Sequence, residues 1–72
     1  MKPQIAVKTK VVERLLAERN LPRKWLIQRV NISRGYMAQL LNGTRHPSAE
    51  LRAKIMAVLE VKNFTDLFTI IK

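Results

Sequence analysis

Arg23 to Gly43, RKWLIQRVNISRGYMAQLLNG, is the stretch on which the reading of this chain turns. Leu26 and Val30 before Asn31, and Met37 and Leu40 after it, recur at helical intervals, so two short amphipathic helices meet at a tight turn. Leu26, Val30, Ile32, Met37 and Leu40 are expected to face inward, with Arg23, Lys24, Arg29, Arg34, Gln39 and Asn42 outward. Ser33 offers its hydroxyl as N-cap to the second of these helices, and Gly43 supplies the left-handed residue that ends it.

Upstream, Val7, Val11, Val12, Leu15 and Leu16 form one apolar stripe of a preceding helix, Asn20 is a suitable terminator, and Pro22 suits the first turn of the next. The six residues before that stripe are expected to fray, with Pro3 discouraging helix before it. Downstream, Thr44 to Pro47 read as a loop and Ser48 caps a fourth helix with Glu50 in its first turn. That helix buries Leu51, Ile55, Val58 and Leu59, with Met56 at the edge. Asn63 and Asp66 resemble a polar capping pair for a short fifth helix. The pattern predicts a single all-α domain over 1–72, with helices near 7–20, 22–30, 33–42, 48–60 and 63–71 and no strand.

Fourteen Lys and Arg against five Asp and Glu leave a net charge of +9 on 72 residues. Between Glu18 and Glu50 there is no acid at all, while Arg19, Arg23, Lys24, Arg29, Arg34 and Arg45 all fall there. A polyanion is the natural partner of such a surface. There is no cysteine, hence no disulfide or thiolate metal site, which fits a reducing cytosol. The longest apolar run, Ile55 to Leu59, falls far short of the ~20 residues that span a bilayer, so a soluble, cytoplasmic protein with no membrane partner is expected. An enzyme is not: five scattered acids, one histidine and no Gly-rich loop suggest no catalytic residues, metal or cofactor. His46, that one histidine, reads as a loop residue.

On a helical wheel, Tyr36, Met37, Leu40 and Leu41 fill one half of the helix after Ser33, and Arg34, Gly35, Ala38, Gln39 and Asn42 fill the other. The outward half is polar and slim, suited to the floor of a DNA groove. Two helices at such a turn make a helix-turn-helix, whose second helix lies in the major groove.

Leu21 to Gly43 lines up without a gap on the helix-turn-helix of the phage Cro and repressor family, also called the Xre family. The Leu40-Leu41-Asn42-Gly43 run and the Arg45-His46-Pro47-Ser48 that follows resemble that family's third helix end and its loop into helix 4, and the likeness spans Val7 to Val61. The resemblance implies a five-helix, lambda-repressor-like DNA-binding domain acting as a transcriptional regulator of bacterial or phage genes, usually a two-fold dimer on a palindromic operator. It makes Arg34, Gly35 and Gln39 the positions that meet bases. Ser33 and Tyr36 stand at the helix entrance, and Arg23, Lys24, Asn42, Thr44 and Arg45 meet phosphates. Independently, Arg pairs with guanine O6 and N7, and Gln with adenine N6 and N7.

The chain departs from the family pattern at three points. Ile27 stands where a small residue usually lets the two helices touch, and Asn31 replaces the turn glycine, a mild change because Asn visits the same backbone region. Leu16 and Leu41 stand where many relatives bury an Arg–Glu pair; replacing both partners with hydrocarbon is coherent, since losing one alone would cost several kcal/mol.

The end of the chain is apolar for its size. A short helix accounts for Phe64 and Leu67, and the excess at Phe68, Ile70 and Ile71 is expected to form a homodimer contact together with the loop before the fourth helix. The function expected is sequence-specific binding of double-stranded DNA by a small Cro-like repressor with no small-molecule effector. The rival class is an antitoxin or adaptor that uses the same fold to bind an acidic protein.

Overall fold

The computed structural model describes residues 4–71. The helices at the centre lie where periodicity put them: α1 at Thr9–Glu18, α2 at Arg23–Val30, α3 at Arg34–Asn42 and α4 at Ala49–Val58. Their ends follow local chemistry. Ser33 Oγ accepts from Tyr36 N–H at 3.0 Å and Ser48 Oγ accepts from Leu51 N–H at 3.2 Å, each satisfying a donor that its helix leaves free. Asn20, Asn31 and Gly43 all take positive φ, at 56°, 59° and 84°, which closes α1, α2 and α3.

The two ends of the chain overturn the all-α expectation. Gln4–Val7 is a strand, β1, and Phe68–Ile71 is a second, β2; they pair antiparallel with Val7 opposite Phe68 and Ile5 opposite Ile70. The residues expected to fray, Gln4 to Ala6, are therefore structured, and Val7 belongs to β1 rather than to the first helix. The fifth helix shrinks to one turn, α5, at Phe64–Leu67, without a side-chain cap from Asn63. Among the described residues the fold is mixed, five helices and a two-stranded sheet. Phe68, Thr69, Ile70 and Ile71 are aromatic or β-branched, which lose rotamer freedom in a helix and suit a pleated surface. A one-turn helix gains little by extending through them when a partner strand lies alongside. Pro3 lies outside the described residues.

Val12, Leu16, Leu26, Val30, Met37, Leu40, Leu51, Ile55, Leu59, Leu67 and Phe68 form the core, with Ile27, Tyr36 and Leu41 packed at its margin. Each fully buried side chain contributes roughly 1.5–3 kcal/mol against the entropy of ordering the chain. Ile27 is half-buried in this cluster while α2 still packs on α3 and α4, so the larger side chain fits at the edge of the helix pair. Leu16 is buried and Leu41 half-buried, both in hydrocarbon surroundings.

Long-range hydrogen bonds bind the ends of the elements to one another. Thr9 Oγ1 donates to the Leu41 carbonyl at 2.6 Å, joining the start of α1 to the last turn of α3. Arg19 Nη2 donates to the Leu59 carbonyl at 2.7 Å at the end of α4. Lys8 closes the sheet, its N–H donating to Leu67 and its ammonium to the Thr65 carbonyl.

Phe68 is 1% exposed and packs ring to ring with Phe64 at 5.2 Å, so it holds the domain's own core and is not a dimer contact. Among the described residues, Ile70 and Ile71 are the large apolar ones left in the open, at 52% and 42% exposure. The pairing puts Ile70 on the face of Val7 and Phe68, beyond the end of the core, and Ile71 on the opposite face.

Candidate nucleic-acid interface

The outward face of α3 is built as the wheel predicts. Arg34, Gly35, Ala38, Gln39 and Asn42 are all exposed, whereas Met37 and Leu40 are buried and Tyr36 and Leu41 half-buried. Gly35 has open space where a Cβ would stand, so the domain's own packing does not require a glycine there.

Arg23 and Lys24 open α2, and Arg34 opens α3; neither helix has an acid in its first turn. Cations sit poorly at the positive end of a helix dipole. By contrast α4 and α5 follow the usual preference, with Glu50 and Asp66 there. Among the described residues, no ion pair or side-chain hydrogen bond engages Arg34 or Lys24. Arg23 lies beside α3: a shallow hollow is lined by Thr9, Glu13, Arg23, Ala38, Leu41 and Asn42. Its guanidinium is 3.5 Å from Glu13 Oε1.

The far end of α3 is knitted to the loop that follows. Asn42 Oδ1 accepts from both the N–H and the hydroxyl of Thr44, at 3.0 and 2.7 Å, so these two side chains are partly committed to the turn. Arg45 stacks its guanidinium 4.5 Å from the centroid of the Tyr36 ring, and its Nη1 donates to Gln39 Oε1 at 3.4 Å. Ser33 and Tyr36 are likewise occupied, one by capping and the other by carrying Arg45.

Of the expected positions, Arg34, Gly35, Gln39 and Asn42 are exposed on α3, Arg23 shares the hollow with Ala38 and Asn42, and Thr44 and Arg45 return to Asn42 and Gln39. Tyr36 is turned toward the core margin, and Lys24 is exposed on α2 with no hydrogen bond or ion pair to α3 among the described residues. Not every cation of the basic interval is free: Arg19 is bound to Leu59, and Arg29 lies 5.3 Å from the Trp25 ring. Three features were invisible in the linear pattern. Glu13 brings a carboxylate to Arg23 from a different helix, Glu50 shares a hollow with Tyr36, and Tyr36, Gln39 and Arg45 form one connected group. The spacing of Tyr36 and Gln39 on one helix is legible in the sequence, but the return of the loop over them is not.

Among the described residues, no helix is long and apolar enough to cross a membrane, and no cluster of His, Asp and Glu has the makings of a metal site. No family model, curated protein or solved structure matches this chain.

Proposed function

We propose that this chain binds double-stranded DNA in a sequence-specific way, laying α3 in the major groove and acting as a small Cro-like transcriptional repressor. The observation that carries this reading is the combination of a slim exposed face on α3 with cations at the starts of α2 and α3, of which Lys24 and Arg34 have no ion pair among the described residues and Arg23 has only the half-exposed Glu13. Placing Arg23, Lys24 and Arg34 at positive helix ends is unfavourable in the free domain and becomes favourable beside phosphates. Arg34 and Gln39 are the base readers, and Gly35 with Ala38 permits close approach.

The protein acts as a cytoplasmic, non-enzymatic binder without cofactor or small-molecule effector. It occupies a palindromic operator as a homodimer, whose contact lies at the exposed end of β2 around Ile70. Selection of duplexes from a random pool tests this directly. The expected result is an enriched palindrome bound about 10³-fold or more above random duplex, with affinity falling steeply as salt rises. Salt-sensitive binding of every polyanion alike, with no preferred duplex, would instead favour an antitoxin or adaptor that grips an acidic protein.

A further inference from the structure

The geometry points to Arg45 as a positioning residue that fixes the amide of Gln39 for base reading, with the Tyr36 ring as its platform. This rests on the DNA-reading function proposed above and assigns Arg45 a part in specificity beyond that of a phosphate clamp. Arg45 is exposed, as a clamp would be, yet its guanidinium is not left to solvent on every side. Here one face of that group is stacked on Tyr36 at 4.5 Å and one donor is committed to Gln39 Oε1 at 3.4 Å. The backbone repeats the connection, since the N–H groups of Thr44 and Arg45 both donate to the Gln39 carbonyl, at 3.1 and 3.2 Å. Tyr36 is half-buried against the core, so the stack is anchored to a rigid part of the domain.

The chemistry gives this arrangement a direction. A guanidinium has donors and no acceptor, so the end of the Gln39 amide that faces it is the oxygen. The Nε2 group is left as the outward donor, and Oε1 keeps a second lone pair. An unsupported glutamine samples many rotamers and both amide orientations, and must lose that freedom when it meets a base. Arg45 removes part of that loss and selects one orientation, which alters the ranking of bases as well as the overall affinity.

Arg45→Lys separates the two roles, because lysine keeps the charge but lacks the planar fork and its stacking. Duplexes are selected from a random pool with the full chain, with Arg45→Lys, with Gln39→Ala and with the double variant, and thermal melting checks that all four fold. The full chain is expected to prefer one base pair at the Gln39 position by about tenfold, and Gln39→Ala to abolish that preference. Arg45→Lys is expected to reduce it to about threefold or less, read as the ratio of affinities for two duplexes that differ only at that base pair, a ratio that the loss of a phosphate contact common to both does not move. In the Gln39→Ala background, Arg45→Lys is expected to leave the remaining preferences as they are. A base preference that Arg45→Lys leaves intact, or an equal loss on every duplex, overturns the positioning role alone. Absence of any enriched base with the full chain overturns the DNA-reading function and this inference with it.

Discussion

The carboxylate of Glu13, in the middle of α1, lies 3.5 Å from the guanidinium of Arg23 in the first turn of α2. Both side chains are about half exposed, so the pair contributes only ~0–1 kcal/mol to stability. Its larger consequence is for a phosphate, which must compete with Glu13 for Arg23. Glu13→Gln is therefore expected to raise affinity for duplex DNA about two- to fivefold at low salt, with little change in melting temperature. Binding titrations at two salt concentrations check this, and unchanged affinity at low salt would remove Arg23 from the set of phosphate contacts.

Gly35 separates stability from function. A Cβ there meets nothing within 4 Å, so Gly35→Ala is expected to stabilise the free domain by roughly 0.4–1 kcal/mol through the unfolded chain and helix propensity. If α3 approaches base edges closely at this position, the same methyl group weakens operator binding. Chemical denaturation and duplex titration of the one variant should move in opposite directions; a gain or no change in affinity would count against close approach.

Phe68 joins the sheet to the core, facing Phe64 on one side and paired with Val7 on the other. Phe68→Ala is expected to cost about 3–5 kcal/mol, a large share of the stability of a domain this small. Denaturant midpoints measure the loss. A cost under about 1 kcal/mol would mean that the sheet is dispensable to the helical core.

Ile70 is half exposed beyond the end of the core, where a lysine would be solvated without cavity or clash. Ile70→Lys is expected to keep the melting temperature and abolish dimerisation, read by sedimentation with and without operator. A monomeric parent chain at high concentration under both conditions removes the homodimer contact.

Much of the candidate site was legible along the chain because it is local. Ser33, Asn31 and Gly43 act on their own helix ends, and the division of α3 into buried and exposed halves follows from spacing alone. The sheet was not legible. Phe68 to Ile71 is a short apolar run that suits helix or strand equally by pattern, and its partner begins at Gln4, at the other end of the chain. Strand pairing is a non-local choice, which depends on residues more than sixty positions apart lying side by side and so leaves no signal in either segment alone.

The same division separates the parts of the interface. Periodicity, caps and the basic interval suffice to set the four longer helices and to put Arg34 and Gln39 outward, since each follows from neighbours three or four residues away. Packing alone decides the electrostatic partners: Glu13 reaches Arg23, Arg19 is drawn away to Leu59, and Arg45 folds back over Tyr36 onto Gln39. A side chain's facing direction is set by its own helix, whereas what it faces depends on how the helices and their loops are arranged in space.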